Sequence, residues 1–234
     1  MIVLVTGASG FVGSWVVKQL VGAGHTVVPF RGDVCDRACH PRQPFEAVIH
    51  LASLIPHRGD YSPAQLVEVN VVGTERLLHS YPTVHFVYVS TSDVLREQLS
   101  DYARSKLEAE TLVAQHTSYC IVRLPSIFGP GQRQLSKLIP RLLRKHMLHE
   151  PGLELSNEAR PCLFVENAAE AVCAGLTKTG IVTVAGLIVN NYALDRLVAA
   201  AVRGDSPESV TADHQQLLTQ LRKCVHHVRE HGVS

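Results

Sequence analysis

The chain opens with a short apolar run, a glycine-rich turn and a helical pattern, and this order constrains its fold more than any other feature. Residues 2–6 are mostly β-branched and apolar, which is typical of a buried parallel strand. From Phe11 to Leu20 the apolar residues recur at helical spacing, and Gly22 and Gly24 end that pattern. Further strands are predicted near 25–30, 47–52, 84–89, 119–124 and 181–185, and helices near 64–80, 100–115, 136–149, 192–202 and 213–230. Strands that alternate with helices predict an α/β fold with a doubly wound parallel sheet.

Two regions are expected from this pattern. Residues 1–125 carry the regular alternation and should form the main core, whereas the pattern changes in residues 126–234. We expect the second region to be small and interleaved with the core, and to shape a ligand site together with it.

Composition excludes several classes of partner. Apolar residues make up 46% of the chain and charged residues 18%, which suits a globular protein, and the net charge of +1 favours neither nucleic acid nor an anionic membrane. No stretch approaches the roughly 20 apolar residues that span a bilayer, and the N-terminal run is too short for a signal peptide. We therefore expect a cytoplasmic protein with reduced thiols.

Cys35, Cys39 and His40 lack a second ligand pair at zinc-like spacing, so no metal site is expected.

The turn after the first strand has the spacing of a dinucleotide-binding loop. Gly7, Gly10 and Gly13 form a G-x-x-G-x-x-G pattern between a strand and a helix. The helix N-terminus that follows would attract a phosphate through its free N–H groups and its dipole. The loop residues expected to bind the cofactor are Gly7, Ser9, Gly10, Phe11, Val12 and Gly13.

The end of the second predicted strand bears on the choice of cofactor. An acidic residue there binds the ribose of NAD, while an arginine accommodates the 2′-phosphate of NADP. Arg31 follows the strand directly and Asp33 comes two residues later, which favours NADP(H) over NAD(H). The alternative is that Arg31 is an ordinary solvent-exposed residue at a strand end.

A tyrosine and a lysine lie four residues apart on a predicted helix. Tyr102 and Lys106 would share one face of that helix, and a nearby ammonium would lower the pKa of the phenol and make it a usable acid or base. Ser90, Thr91 and Ser92 end the preceding strand, where a hydroxyl can donate to a substrate carbonyl oxygen. These hydroxyls could instead cap the next turn.

These segments occur in the order found in a known family. The matching segments are Thr6 to Gly13, His50 to Ser53, Asn70 to Thr74, Val89 to Ser92, Tyr102 to Lys106, Arg123 to Pro125 and Phe128 to Gly131. Together they resemble the extended short-chain dehydrogenase/reductases, the NAD(P)-dependent epimerase/dehydratase family. The resemblance implies a Rossmann fold.

The resemblance also implies roles. Thr91 would hold the substrate oxygen, Tyr102 would be the acid/base, and Lys106 would tune Tyr102 and bind the nicotinamide ribose. Further cofactor positions would be Asp33, Val34, Leu51, Ala52, Ser53, Asn70 and Pro125. Ser126 and Arg160 fall where relatives contact a nucleotide-sugar. The helices near 64–80 and 100–115 resemble those that pair in a homodimer.

The sequence also departs from the family pattern. Ten residues separate Thr91 from Tyr102, fewer than in most relatives. Ser92-Asp93 stands where the dehydratases of the family carry Asp-Glu. The second strand runs almost directly into Gly32-Asp33-Val34, a compaction that resembles the dTDP-4-dehydrorhamnose reductases.

Three hypotheses follow. The first is an NADP(H)-preferring reductase of a keto group, plausibly on a nucleotide-sugar. The second is a nucleotide-sugar epimerase that holds NAD tightly. The third is a dinucleotide-binding regulator without turnover.

Overall fold

The computed structural model describes residues 1–56, 61–132, 134–151, 153–205 and 211–232. The chain forms two compact units, which are described separately. The first unit comprises Met1–Pro125 and Asn167–Val184, and the second comprises Ser126–Glu166 and Ala185–Ser234.

The described residues form nine β-strands and eight α-helices. The strands are β1 Ile2–Thr6, β2 Thr26–Pro29, β3 Ala47–His50, β4 His85–Thr91, β5 Tyr119–Leu124, β6 Ser126–Phe128, β7 Ala159–Phe164, β8 Gly180–Thr183 and β9 Leu187–Asn190. The helices are α1 Phe11–Gly22, α2 Pro63–Val67, α3 Gly73–Ser80, α4 Asp101–Val113, α5 Leu138–Leu148, α6 Val165–Ala174, α7 Asn191–Arg203 and α8 Ala212–His231. No helix in these described ranges is long and apolar enough to cross a membrane.

A six-stranded sheet forms the centre of the first unit. Its order is β2-β1-β3-β4-β5-β8, and every neighbouring pair is parallel. All four residues of β3 are buried, as are Val3–Thr6 of β1, because helices cover both faces of a parallel sheet. The predicted α/β doubly wound fold is confirmed.

The connection between β2 and β3 determines the strand order at one edge of the sheet. The chain runs from β1 through α1 to β2, and then through residues 30–46 to β3 on the opposite side of β1. That connection contains one short 3-10 turn, Arg37–Cys39, and no further strand. In the usual order 3-2-1-4-5-6 a third strand lies outside the second. Here β2 is itself the edge, which explains its partial exposure.

The second unit has its own core. A small sheet of order β6-β7-β9 packs with α5, α7 and α8 around Phe128, Leu142, Val198, Leu217 and Leu221. β6 pairs with β7 in parallel and β9 pairs with β7 in antiparallel orientation. Asp195 of α7 joins the helices, because it accepts from Lys145 Nζ at 2.9 Å and lies 2.7 Å from His146 Nε2 on α5.

Candidate functional site

Four loops meet at the carboxyl edge of the large sheet. The glycine loop follows β1, Leu51–Ser53 follow β3, Thr91 ends β4, and Pro125 follows β5. The chain changes direction at β1, since β2 lies on one side of it and β3 on the other. In open α/β sheets this kind of reversal leaves a crevice at the carboxyl ends of the strands.

The glycine loop is packed too closely to admit side chains. Gly7 has φ +66°, and a Cβ there would lie 2.8 Å from the Ala52 nitrogen. A Cβ on Gly13 would lie 2.0 Å from the Gly7 carbonyl oxygen, so helix α1 can approach β1 only without it. Gly10 is the N-cap of α1 and has no side chain to cover the first N–H groups, while Ser9 is exposed and Phe11 and Val12 are half-buried. This backbone cradle fits the pyrophosphate of a dinucleotide.

A buried hydrogen-bond chain ties the first and third strands together below this cradle. Thr6 Oγ1 accepts from the Leu51 and Ala52 N–H groups at 3.1 and 3.0 Å, so its own proton is left for His50 Nδ1 at 2.6 Å. His50 Nε2 must then carry the ring proton and donate it to Thr74 Oγ1 at 3.0 Å. Burial, followed by the Lys106 charge, lowers the pKa of His50 to about 3. His50 is therefore a neutral structural residue.

Asn70 lies in a π-helical segment, Glu68–Val72, between α2 and α3. Its Oδ1 accepts from the Leu54 N–H at 2.8 Å and from Ser53 Oγ at 3.0 Å. Its Nδ2 donates to the Leu54 carbonyl at 3.1 Å and to Ser105 Oγ at 3.0 Å. As placed, Asn70 fastens the loop after β3 to helix α4, and π-segments are frequent at functional sites.

The residues expected to choose the cofactor lie beyond β2. Arg31 is exposed, and among the described residues no carboxylate lies within ion-pair distance of its side chain. Asp33 is also exposed, and its Oδ1 accepts from the Cys35 N–H at 2.8 Å. Val34 is buried, and its carbonyl lies 2.9 Å from His40 Nε2.

The neighbouring cysteine and histidine side chains have structural partners. His40 uses both ring nitrogens, on Ser80 Oγ at 2.6 Å and on the Val34 carbonyl. Cys35 Sγ donates to the Glu68 carbonyl at 3.3 Å. Within the described ranges, no three potential metal ligands converge, and all six cysteines are unpaired.

Thr91 is half-buried at the end of β4. Its Oγ1 accepts from the Asp93 N–H at 3.2 Å and so caps a short 3-10 turn, Ser92–Leu95. The capping alternative from the sequence is thus observed for Thr91. The cap occupies an oxygen lone pair and leaves the hydroxyl proton available to a substrate oxygen.

Tyr102 and Lys106 lie one turn apart at the start of α4, which Ser100 caps by accepting from the Ala103 N–H at 3.2 Å. Burial raises the pKa of Tyr102 to about 12, although a hydrogen bond with Ser53 counteracts part of that rise. The prediction from the Tyr-Lys spacing that the pKa of Tyr102 is lowered is therefore wrong. The effect of burial is larger than that of the hydrogen bond.

Lys106 is almost fully buried, with 2% of its surface exposed. Its Nζ lies 4.1 Å from the centroid of the Tyr88 ring. Burial lowers the pKa of Lys106 to about 7, and the nearby Glu110 carboxylate counteracts part of this shift. Glu110 is itself bound by Arg123, whose Nε lies 3.0 Å from Oε1 and whose Nη2 lies 2.6 Å from Oε2.

Three further side chains of this site, those of Tyr88, Glu110 and Arg123, were not predicted from the sequence. The signal for Glu110 was available, because residues 102, 106 and 110 repeat at i, i+4 and share one helix face. Tyr88 lies two residues before Ser90, so strand alternation places both on one face of β4.

The two predicted substrate residues lie in the second unit. Ser126 is exposed at the start of β6 and is paired in register with Cys162 of β7. Arg160 precedes Cys162 by two residues on β7, so the two predicted side chains are on the same face of the small sheet. Arg160 is exposed and holds Glu158, with 3.0 Å between Nε and Oε2.

A parallel α/β sheet with a glycine cradle, and with a Tyr-Lys pair on a helix that packs against it, defines the class of nicotinamide-dinucleotide-binding α/β proteins. Within that class, the sequence model of the NAD dependent epimerase/dehydratase family matches residues 3–185, and the chain belongs to this family.

Relatives with assigned names differ in their substrates. The chain is 28% identical over 193 residues to a 3 beta-hydroxysteroid dehydrogenase/Delta 5→4-isomerase of Mycobacterium tuberculosis, covering 62% of this chain and 52% of that protein. It is 28% identical over 214 residues to a 2-alkyl-3-oxoalkanoate reductase of Stenotrophomonas maltophilia, covering 73% and 64%. The chain thus spans between half and two thirds of the length of these relatives.

A solved structure shares the fold over nearly the whole chain. MoeE5 in complex with UDP-glucose and NAD superposes with a TM-score of 0.81 at 22% identity, covering 98% of this chain and 99% of that one. This likeness extends the fold assignment to both units.

Proposed function

We propose that this protein is an NAD(P)-dependent reductase that transfers hydride to a keto group and uses Tyr102 as the general acid. The observation that carries the proposal is the position of Tyr102 and Lys106 on α4, the helix that packs against β4, whose end bears Thr91, at the sheet edge that also holds the glycine cradle. We propose residues 1–125 as the cofactor-binding region and residues 126–234 as the substrate-binding region.

Three side chains of the site would have separate roles in the reaction. A bound nicotinamide supplies the hydride. Thr91 donates its free hydroxyl proton to the carbonyl oxygen and orients it, while Tyr102 delivers the proton that converts the developing alkoxide to an alcohol. The Tyr102 phenolate that remains would regain a proton from solvent. The positive charge of Lys106 would stabilise this phenolate while it lasts.

Burial raises the pKa of Tyr102 to about 12, so its phenol holds its proton at neutral pH, as a general acid requires. The alternative is a nucleotide-sugar epimerase with the same three residues, and tightly retained NAD in the purified protein would favour it.

For the cofactor we propose NADP(H) in preference to NAD(H). Arg31 is exposed beyond β2 and is engaged by no carboxylate in the described ranges, so its guanidinium is available for a 2′-phosphate. The solved structure of MoeE5 contains NAD. Tighter binding of NADH than of NADPH by this chain would contradict the choice of NADP(H).

For the substrate we propose a nucleotide-sugar, with Ser126 and Arg160 as contact residues. The pairing of these two positions on one face of the small sheet supports this assignment. A second candidate is an apolar ketone, because the two named sequence relatives are a hydroxysteroid dehydrogenase and an alkyl-oxoalkanoate reductase. We further propose a cytoplasmic homodimer.

The first test is a fluorescence titration with NADPH and NADH, since Trp15, the single tryptophan, lies on α1 just after the glycine loop. Tighter binding of NADPH, lost in Arg31→Ser, is expected.

Turnover would then be measured with keto-sugar nucleotides and with alkyl ketones. Tyr102→Phe should lose about 10²–10⁴-fold of the rate, whereas Tyr119→Phe, at the start of β5, should not. Full activity of Tyr102→Phe would contradict the assignment, and binding without turnover would favour the regulator.

A further inference from the structure

Lys106 makes an unusual contact for a buried ammonium. Its Nζ lies 4.1 Å above the ring of Tyr88, which is fully buried in β4. A cation over the face of an aromatic ring is attracted by the ring quadrupole. Among the described residues, no side chain or carbonyl accepts a hydrogen bond from Lys106, so the ring face is its principal contact.

The neighbouring carboxylate is not free to take the place of the ring. Glu110, one turn further along α4, is 3% exposed and receives three hydrogen bonds from Arg123 of β5. Bidentate arginine pairs of this kind are geometrically demanding. Glu110 therefore acts on Lys106 through its charge without holding the ammonium in one place.

The phenol of Tyr88 does not compete as an acid or base. Burial, together with the charges on Tyr102 and Glu110, raises its pKa well above the ordinary value. Tyr88 is thus neutral near pH 7, and the contact that it makes with Lys106 is through the face of its ring.

We propose that Tyr88 is a positioning residue for Lys106: the face of its ring holds the ammonium in the site and favours its charged form. The consequence for catalysis rests on the proposed function, in which Lys106 must be charged to stabilise the Tyr102 phenolate. The contact itself belongs to the folded chain and can be measured without a substrate.

The other titratable groups near Lys106 must be considered in the test. In the described part of the chain, Glu110 on α4 and His50 on β3 interact with its charge, Arg123 of β5 binds Glu110, and Tyr102 lies one turn before Lys106 on α4. His50 is neutral because its pKa is about 3, and Glu110 and Arg123 form a closed pair. Since the pKa of His50 is about 3 and that of Tyr102 is about 12, neither changes charge near pH 7, and a titration there reports Lys106.

The experiment is carbon-13 NMR of protein labelled at the lysine Cε. The chain has six lysines, and Lys106→Arg assigns the resonance of interest. Tyr88→Phe keeps the ring and should leave the midpoint near 7. Tyr88→Leu removes the ring and should lower the midpoint by about one unit, because the charged form loses its attraction.

A matched control removes another ring from the same strand. Phe86 is fully buried two residues before Tyr88, and Phe86→Leu creates a comparable cavity without touching Lys106. It should leave the midpoint unchanged. An unchanged or raised midpoint in Tyr88→Leu would overturn the proposal, since a raised value would mean that entering water, and not the ring, governs the charge.

A second readout separates this proposal from the proposed function. If both hold, the pH above which turnover falls moves down in Tyr88→Leu by the same amount as the NMR midpoint. If the midpoint moves but Lys106→Met retains turnover, the positioning role is correct and the reductase assignment is wrong.

Discussion

Lys106 carries a charge that its surroundings oppose. Its ammonium is almost fully buried over the ring of Tyr88, and the nearby carboxylate of Glu110 is hydrogen-bonded to Arg123. Burying a charge without a full partner costs free energy, and proteins accept that cost mainly at functional sites. Function and stability are therefore expected to oppose each other at this residue.

We predict that Lys106→Met stabilises the protein in a pH-dependent way. The pKa of Lys106 is about 7 in the folded chain and 10.5 ordinarily, so between these values the unfolded chain binds more protons and stability rises with pH. Below pH 7 both states are charged and the cost of burial is present in full. At pH 6.5 the variant should gain on the order of a few kcal/mol of unfolding free energy, and this gain should shrink by pH 9.5.

Urea unfolding at the two pH values would measure this difference. Lys178→Met, at an exposed position of the first unit, serves as the control and should show neither the gain nor its pH dependence. A Lys106→Met protein that is less stable than the parent at pH 6.5 would refute the burial argument.

The first helix illustrates how one element serves the site. Gly13 is buried inside α1, and its missing side chain lets the helix start lie against the turn after β1. Gly22 ends the same helix, and a Cβ there would meet nothing within 4 Å. The packing of the helix start therefore requires a glycine at position 13, whereas position 22 has room for a side chain.

We predict that Gly13→Ala weakens cofactor binding at least tenfold and lowers the thermal midpoint, because the new methyl would lie 2.0 Å from the Gly7 carbonyl and must displace the backbone of the cradle. Gly22→Ala should leave binding unchanged and raise stability slightly, by up to about 1 kcal/mol, because alanine favours helices. Trp15 fluorescence and thermal unfolding measure both effects. Equal binding by the two variants would rule out a phosphate cradle at this turn.

The elements of the first unit were largely predictable because their signals are local. β1, β3, β4 and β5 are apolar and β-branched, and α4 has a cap and a clear period. The predicted helix near 64–80 is interrupted by the π-segment Glu68–Val72. A shift in backbone hydrogen bonds leaves no mark in the hydrophobic period, so this interruption could not be read from the sequence.

The site was predictable in its residues but not in its electrostatics. The glycine spacing and the Tyr102-Lys106 spacing are visible along one stretch of chain. The raised pKa of Tyr102 depends on burial, and the contact of Lys106 with Tyr88 depends on how a helix packs on a strand. Both are tertiary effects, which a one-dimensional pattern does not contain.

At the scale of the whole molecule, the second unit was the harder part to predict. β6 has three residues, β7 contains Pro161 and alternates weakly, and β9 has four residues. Short strands of mixed composition give little periodic signal. The sequence did not reveal the bounds of the segment Asn167–Val184, which belongs to the first unit, because they are set by the pairing of β8 with β5.

The assembly of the chain can be tested at one exposed residue of α2. The proposed dimer would pair the surfaces of α2, α3 and α4, and Val67 on α2 exposes 39% of its surface. Light scattering should give a mass of twice 25.6 kDa. Val67→Arg should reduce this to one chain, because a charge would have to be buried without a partner. Val21→Arg, at a site on α1 that is 59% exposed, should leave the mass unchanged. A parent protein with the mass of a single chain would exclude the dimer, and a dimer that survives Val67→Arg would place its interface on another surface.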